Sequence, residues 1–436
     1  MKPVTPRGFR DVLPQEAAER KVAADALATV FDAWGYGLVE TPVAEEYAVL
    51  EAGAGVLEGT AFRLFDSDGR LLALRPEMTV PIARMVAARL KNEPAPHRVR
   101  YLADVFREQA SLRGQSRQFT QAGVELIGAS GSAADAEVVA LLIEAVAATG
   151  LREYTVAVGT VAVLSALLDA SGAGEVWREA VRSAAHDRNL VEIDRLAAAG
   201  DLPADVARAL PAVVRLRGGR DAIDACRSHV AACGCAGVLD EFEATWELLE
   251  AAGVADRVTV DFGTMRSFDY YTGMVFELLA PGLGLPLGGG GRYDGVLAAF
   301  GAPAPAAGFA IGIERLHIAL AEQCVAPAVR RLDAVLCGDD PAEVFAAAAR
   351  LRAAGWRVRL AVASGFDNTP PPAPPVPSRP CASPAPVSCG STGQVSPPTR
   401  CPTRHRSRPP HGCRKAVRDD APTSRLTLRS PAHGRP

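Results

Sequence analysis

The chain has 436 residues, and its 47 basic and 50 acidic side chains give a net charge of −3. Residues 367–436 hold 17 of the 33 prolines, contain no Phe, Trp or Tyr and carry a charge of +8, which leaves −11 for residues 1–366. This excludes a fibre and a small disulfide scaffold, and the acidic body argues against a protein that binds nucleic acid mainly through charge. We expect a folded body of two or three domains and a disordered Pro/Arg-rich tail at 367–436.

The chain carries no pattern typical of secretion or of a membrane span. Its first residues, MKPVTPRGFRDVLP, contain no apolar signal region, and no uncharged apolar run is long enough to cross a bilayer. The five cysteines of the body show no paired pattern, which predicts reduced thiols at Cys226, Cys233, Cys235, Cys324 and Cys337. We therefore expect a cytoplasmic protein with no cofactor and no metal site.

Apolar periodicity in the first part of the chain predicts helices around an antiparallel sheet. A first helix is predicted over residues 15–34, where Ala23, Leu27 and Phe31 recur at helical spacing. The turn at 67–70 lies between two short apolar stretches and predicts a hairpin. The other predicted elements are strands at 38–39, 97–107, 117–127 and 154–158, and helices at 80–90 and 134–148.

Residues 159–255 are rich in Ala and Leu and predict a helical insertion. Strands return at 258–262 and 274–279, before the glycine run at 288–291. Because strands flank the insertion on both sides, we expect one interrupted sheet in an α+β fold rather than a Rossmann fold. The predicted domains are a core at 1–158 and 256–322, the insertion at 159–255, and a partial α/β unit at 330–366 made of one β-α-β repeat.

Four polar clusters interrupt these elements, at residues 75–79, 106–125, 266–273, and 288–295 together with 308–315. Glu77, Gln121 and Glu125 have apolar neighbours on predicted strands, so we expect them to face a pocket. Carboxylate and amide oxygens there would accept hydrogen bonds from an ammonium group. The clusters therefore predict a site for a small ligand that carries a positive charge.

The remaining residues of these clusters extend the prediction to a zwitterion beside a nucleotide. Arg107 and Arg315 could clamp a carboxylate or phosphates, and Tyr270 with Tyr271 would provide flat walls with hydroxyls. The glycine run would let backbone and ligand approach closely. Each cluster alone also has an ordinary explanation, such as a solvated ion pair or a core tyrosine.

In this order, the clusters resemble the class II aminoacyl-tRNA synthetases, and among them the histidyl group. Pro42 after the first helix resembles motif one, and residues 106–125 and 308–315 resemble motifs two and three. Residues 266–273 and 289–295 resemble stretches peculiar to the histidyl enzymes. The resemblance covers residues 6 to about 320. It implies an antiparallel sheet flanked by helices, with a helical insertion and a short β-α-β remnant after it.

Two groups of proteins share this pattern, the histidyl-tRNA synthetases and the regulatory subunits of ATP phosphoribosyltransferase, and three departures favour the second. Gln109 replaces a carboxylate of synthetase motif two, which weakens its hydrogen bonds to adenine by about 1–3 kcal/mol. Ser111-Leu112 replaces the Pro-Gln pair that normally follows. Residues 51–61 lack a Gly-Glu segment of the synthetases, and 75–84 resemble the regulatory group. Only about 35 structured residues are expected where a synthetase has an anticodon-binding domain of about a hundred residues.

The resemblance implies a histidine pocket and a vestigial nucleotide site, with no catalytic residues. The histidine contacts would be Glu77, Thr79, Arg107, Gln121, Glu125, Arg266, Tyr270 and Tyr271. The vestigial nucleotide contacts would be Arg107, Gln109 and Arg315. The alternative is a divergent or truncated histidyl-tRNA synthetase with ATP-dependent histidine activation, since Arg107, Arg266 and Arg315 are all present.

The expected function is that of a non-catalytic subunit, required by the short catalytic subunit in the first step of histidine biosynthesis and for feedback inhibition by L-histidine. We expect a hetero-octamer with that catalytic subunit and self-association as a dimer through the synthetase-like core, without a membrane or tRNA partner. The tail at 367–436 is compatible with a genuine extension and equally with a change of reading frame.

Overall fold

The computed structural model describes residues 4–54, 61–108, 116–199, 201–264, 270–325, 327–330 and 332–361, and the backbone of 427–429. The chain divides into two compact units, Met1–Val329 and Arg330–Pro436. The tail at 367–436, predicted to be disordered, lies outside the described residues except at 427–429, where the backbone forms a short strand. In the part of the chain that is described, no helix combines the length and the apolar character that a membrane crossing requires.

The first unit contains twelve described strands. They are β1 (Gly37–Leu38), β2 (Ala44–Glu46), β3 (Arg63–Phe65), β4 (Leu71–Leu74), β5 (His97–Phe106), β6 (Gln118–Ile127), β7 (Thr155–Thr160), β8 (Arg217–Gly218), β9 (Val258–Asp261), β10 (Met274–Leu279), β11 (Gly288–Arg292) and β12 (Ala306–Gly312). Nine of them form one sheet in the order β1-β5-β6-β12-β11-β10-β7-β9-β8, and β2, β4 and β3 form a small second sheet. Within the large sheet, the β1–β5 and β7–β9 pairs are parallel, and the other pairs are antiparallel.

Eleven described α-helices accompany these strands. They are α1 (Pro14–Ala33), α2 (Tyr47–Ala54), α3 (Thr79–Met85), α4 (Gly131–Ala148), α5 (Val161–Ala170), α6 (Glu175–His186), α7 (Leu190–Ala199), α8 (Ala204–Val213), α9 (Arg220–Ala232), α10 (Asp240–Ala251) and α11 (Ile313–Glu322). A π-helical turn at Val86–Leu90 continues α3, and short 3₁₀ helices occupy Ala236–Leu239, Ala255–Arg257 and Val296–Phe300. The predicted α+β fold, an antiparallel-rich sheet flanked by helices, is confirmed.

The main core lies between the large sheet and the helices α1, α4 and α10. The first predicted helix buries Ala23, Leu27 and Phe31 as expected, but Trp34 is its C-terminal cap and is only half-buried. Its indole Nε1 donates to the Glu144 carboxylate over 2.9 Å. Helix α4 is buried along most of its length, since it packs against α1, α10 and the sheet. A separate apolar cluster lies among helices α5, α6, α7 and α8.

The glycine run forms β11, a central strand between β12 and β10. Glycine is unfavourable in strands, so the sequence pattern did not predict this element. The close approach of the neighbouring strand explains the residue type. A Cβ on Gly290 would lie 2.7 Å from the Cα of Phe309, and one on Gly288 would lie 2.8 Å from the Cα of Ile311. Larger residues would push the two strands apart.

In the second unit, β13 (Ala334–Cys337) pairs in parallel with β14 (Val358–Leu360) and antiparallel with β15 (Thr427–Arg429). Helix α12 (Pro341–Ala353) begins at an N-cap where the Asp340 carboxylate accepts from the backbone N–H of Ala342. The small apolar core of this unit contains Ala334, Leu336, Val344, Ala348 and Val358.

The prediction of reduced cysteines is wrong at one position. Cys226, Cys233 and Cys235 are free thiols, whereas Cys324 is disulfide-bonded. The spacing of the body cysteines gave no sign of this bond.

Candidate functional site

A cleft with about 840 Å³ of empty space, partly open to solvent, lies over the middle strands of the large sheet. Strands β5, β6, β11 and β12 contribute to its lining, together with the first residues of α3 and α11. Six predicted ligand contacts line it: Glu77, Thr79, Arg107, Gln121, Tyr270 and Tyr271. Arg315 lines it as well. Arg266 and Gln109 lie outside the described residues, and Glu125 lies directly behind the lining.

Glu77 is buried at the start of α3. Its carboxylate accepts hydrogen bonds from the backbone N–H groups of Thr79 (2.6 Å) and Val80 (2.9 Å), which are the first residues of the helix. This satisfies two N–H donors that a helix start leaves unpaired. Burial raises the pKa of the Glu77 carboxyl, and the two backbone hydrogen bonds counteract part of that rise. Glu77 therefore both caps α3 and presents negative charge to the cleft.

Glu125 on β6 is the second buried carboxyl group, with 1% of its surface exposed. The Thr79 hydroxyl donates to its Oε1 over 3.1 Å, and the Tyr293 hydroxyl donates to its Oε2. Burial raises the pKa of Glu125 to about 8; the Tyr293 hydrogen bond acts against this rise, and the nearby Glu77 charge adds to it. Thr79 is therefore hydrogen-bonded to both carboxyl groups.

Gln121, also on β6, has a side-chain carbonyl oxygen that accepts no hydrogen bond from the described residues. Its side chain is 9% exposed and lines the cleft, and its Oε1 has no hydrogen-bond partner within the described residues. A buried acceptor in this state costs about 1–3 kcal/mol. A ligand with an N–H group, such as an ammonium or an imidazole, would remove that cost.

Aromatic side chains form a wall of the cleft. The ring centroids of Tyr270 and Tyr271 lie 4.9 Å apart, and those of Tyr270 and Tyr293 lie 5.9 Å apart in an edge arrangement. Burial holds the pKa of Tyr101, Tyr270 and Tyr293 well above the usual range, so these phenols stay neutral. They supply hydroxyls and apolar ring surface without adding charge.

Two guanidinium groups complete the lining. Arg107 Nε donates to the carbonyl of Pro76 over 2.7 Å, and its guanidinium carbon lies 5.2 Å from the ring centroid of Phe119. Arg315 Nη1 donates to the carbonyl of Pro286 over 2.7 Å. With the buried carboxyl groups and the Gln121 acceptor, they give the cleft complementary groups for both charges of a zwitterion.

Glu314, beside Arg315, is a lining residue that the sequence pattern did not single out. Its carboxylate accepts from Arg20 of α1 (2.7 Å) and from the backbone N–H of Thr120 (3.0 Å). Burial raises the pKa of this carboxyl. Glu314 thus ties α1 to β6 at the residue next to Gln121.

Tyr293 was also missed as a functional residue, although it lies within a predicted cluster. Register places Glu125, Gly308 and Gly291 in one row across three strands, and Tyr293 follows two residues after Gly291. Had the glycine run been interpreted as a strand, this row would have brought Tyr293 close to Glu125. In the described part of the chain, no group of His, Cys, Asp or Glu side chains is arranged to hold a metal ion.

Comparisons with known proteins agree with the fold and the order of the motifs. Residues 8–316 match the family model described as histidyl-tRNA synthetase. An ATP phosphoribosyltransferase regulatory subunit of Moorella thermoacetica is 41% identical over 81% of this chain and 91% of its own length. The corresponding protein of Bacillus subtilis is 36% identical over 83% of this chain and 92% of its own length.

Solved structures give the same result. The crystal structure of an ATP phosphoribosyltransferase regulatory subunit/histidyl-tRNA synthetase from Bacillus halodurans superimposes with a TM-score of 0.74 at 34% identity, covering 82% of this chain and 93% of that one. A histidyl-tRNA synthetase from Nostoc sp. PCC 7120 superimposes with a TM-score of 0.71 at 22% identity, covering 84% and 87%. The second likeness shows the fold alone.

Proposed function

Because the chain belongs to the histidyl-tRNA synthetase-like family of ATP phosphoribosyltransferase regulatory subunits, we propose that L-histidine binds its cleft and that this binding transmits feedback inhibition. The chain is a non-catalytic regulatory subunit of ATP phosphoribosyltransferase, the enzyme of the first step of histidine biosynthesis. The short catalytic subunit requires it for activity. The proposed histidine contacts are Glu77, Thr79, Arg107, Gln121, Glu125, Arg266, Tyr270 and Tyr271.

The observation that carries the proposal is the unpartnered Oε1 of Gln121 in a cleft that also holds two buried carboxyl groups. These acceptors suit a ligand with N–H donors and a positive charge. The lining guanidinium groups suit its carboxylate. Histidine combines an ammonium, a carboxylate and an imidazole in one small molecule, and therefore satisfies all three requirements.

Inhibition further requires that histidine bind the inhibited assembly more tightly than the active one. A difference of about 1–3 kcal/mol is ordinary for such coupling. The proposed assembly is a hetero-octamer with the catalytic subunit, located in the cytoplasm, in which the synthetase-like core at 1–158 and 256–322 also pairs with a second copy. In this proposal residues 159–255 are an insertion, 330–366 a partial α/β unit and 367–436 a tail.

A second candidate function is ATP-dependent histidine activation, as in a synthetase. The observation that favours it is the presence of Arg107 and Arg315 in the cleft lining, where they could still hold phosphates. We assign them instead to a vestigial nucleotide site with Gln109, because an amide at that position gives a weaker acceptor for adenine than a carboxylate does.

The test combines two assays on the purified chain. Phosphoribosyltransferase activity of a short catalytic subunit is measured with and without the chain, across a series of histidine concentrations. We expect activity only with the chain, and inhibition by histidine that the Glu125→Ala variant weakens at least tenfold. The surface variant Glu93→Gln serves as the matched control. Histidine-dependent ATP–pyrophosphate exchange at synthetase-like rates by the chain alone would contradict the regulatory role.

A further inference from the structure

Two buried carboxyl groups lie beside Thr79, with Glu77 in the lining of the cleft and Glu125 directly behind that lining. Glu77 and Glu125 are 4% and 1% exposed, and both are hydrogen-bonded to Thr79. Neither forms an ion pair within the described residues. Burial penalises the charged form of both groups, and the Glu77 charge adds to that penalty at Glu125, so that one of the two groups keeps a proton.

The hydrogen bonds indicate which group keeps it. Both oxygens of Glu77 accept from backbone N–H groups, which can only donate and therefore favour its ionised form. Glu125 meets the hydroxyls of Thr79 and Tyr293, which can donate or accept. A protonated Glu125 can thus keep both contacts by donating one of them, whereas protonation of Glu77 would weaken its acceptance from at least one backbone N–H.

Among the described residues, the other groups around the pair place no compensating charge next to Glu125. Tyr101, Tyr270 and Tyr293 are neutral phenols, and Tyr36 acts on it only at longer range. The Arg107 charge acts on Glu77. We therefore assign the positive charge that Glu125 meets in the bound state to the ligand.

We infer that a cationic group entering the cleft makes Glu125 release its proton to solvent, so that ligand binding and ionisation of Glu125 are coupled. The carboxylic acid becomes a carboxylate, and the ligand keeps all its own protons. The inference rests on the proposed function and adds a consequence to it. Since Glu125 must ionise, affinity for the ligand rises with pH and becomes constant once the free protein has already lost that proton.

The number of protons released on binding follows from the fraction of Glu125 that is protonated in the free protein. With a Glu125 pKa of about 8, about nine-tenths of the molecules hold the proton at pH 7. Binding should then release about 0.9 proton at pH 7, and less as the pH rises past 8. The affinity should increase up to tenfold per pH unit below that point.

The experiment is calorimetric titration of the full-length chain with L-histidine at pH 7.0, in several buffers that differ in ionisation enthalpy. The slope of the observed heat against that enthalpy gives the number of protons released. We expect wild type and Glu93→Gln to release about 0.9 proton more than Glu125→Gln. Equal slopes for wild type and Glu125→Gln would overturn the inference while leaving histidine binding intact.

The same protein samples also decide two further outcomes. If Glu125→Gln is folded but binds too weakly to titrate, the wild-type affinity between pH 7 and pH 8 decides: a rise supports the coupling, and a constant value overturns it. Histidine that binds in no buffer, at any pH, to a chain that still activates the catalytic subunit would overturn the proposed histidine site itself.

Discussion

At the residue scale, Gln121 has a buried acceptor that destabilises the free protein and that a bound ligand would satisfy. Its unpartnered Oε1 destabilises the free fold. We predict that Gln121→Met, which keeps the length but removes the acceptor, leaves the free energy of unfolding unchanged or raises it by about 1 kcal/mol. The same change should weaken histidine binding at least tenfold. Urea unfolding and calorimetry measure the two effects.

Gln118 on the same strand provides the control, since it is exposed and its side-chain amide donates to Asp104. Gln118→Met should leave histidine affinity unchanged. A Gln121→Met protein that binds histidine as tightly as wild type would show that Gln121 does not contact the ligand.

Gly308 fixes the position of the Glu125 carboxyl from behind. A Cβ at this position would lie 2.8 Å from the carboxyl carbon of Glu125 and would also meet the backbone of Val124. We predict that Gly308→Ala displaces the carboxyl group, lowers the free energy of unfolding by about 1–3 kcal/mol and weakens histidine binding at least tenfold. Gly284→Ala, where an added Cβ meets nothing within 4 Å, should change neither quantity. Unaltered histidine affinity in Gly308→Ala would contradict the proposed role of Glu125.

At the scale of elements, one buried ion pair connects β11 to α4. Arg292 Nη2 lies 2.5 Å from Asp135 Oδ1, and both side chains are at least 94% buried. We predict that Arg292→Met lowers the free energy of unfolding by about 3–5 kcal/mol, because it leaves Asp135 buried without its partner. The double variant R292M/D135L should recover most of that loss, since an apolar pair replaces the buried charges.

Urea unfolding of both single variants and the double variant measures this coupling. The exposed pair Arg182–Glu175 is the control, because removing it should cost less than about 1 kcal/mol. A double variant as unstable as Arg292→Met alone would show that packing around Arg292, rather than the charge pair, joins the two elements.

An element could be predicted from the sequence when its own residues carry a periodic apolar pattern, and could not when its residue types depend on contacts with a distant strand. Helix α1, helix α4 and the long strands β5 and β6 have periodic apolar faces, and their positions were predicted to within a few residues. β11 has no such face, because its glycines are required by contacts with β12. Only the pairing of distant strands reveals it.

The same distinction applies to the candidate site. The lining position of Gln121 followed from a polar residue within an apolar strand. Glu77 lines the cleft as predicted, but its predicted placement on a strand is wrong, because it lies between β4 and the start of α3. The contact of Tyr293 with Glu125 depends on register between residues more than 150 positions apart, which no local pattern contains. The unpartnered state of Gln121 is likewise a property of packing.

At the scale of the whole molecule, the two compact units differ in the size of their described apolar cores. The first unit contains three apolar clusters, and every residue that lines the cleft lies within it. The described core of the second unit has five buried residues around one helix. A core of that size rarely stabilises an independent domain.

We therefore predict that a chain ending at Val329 folds and binds L-histidine with the affinity of the full-length protein, because the described residues of its apolar clusters and of its cleft lining all precede Arg330. Its midpoint of thermal unfolding should stay within a few degrees of the first transition of the full chain. A fragment of residues 330–361 alone should lack cooperative unfolding. Circular dichroism and calorimetry check these outcomes, with full-length protein as the reference. If the shortened chain aggregates, or folds but binds histidine at least tenfold more weakly, residues beyond Val329 must contribute to the fold or to the site, and the cleft cannot be the complete binding site.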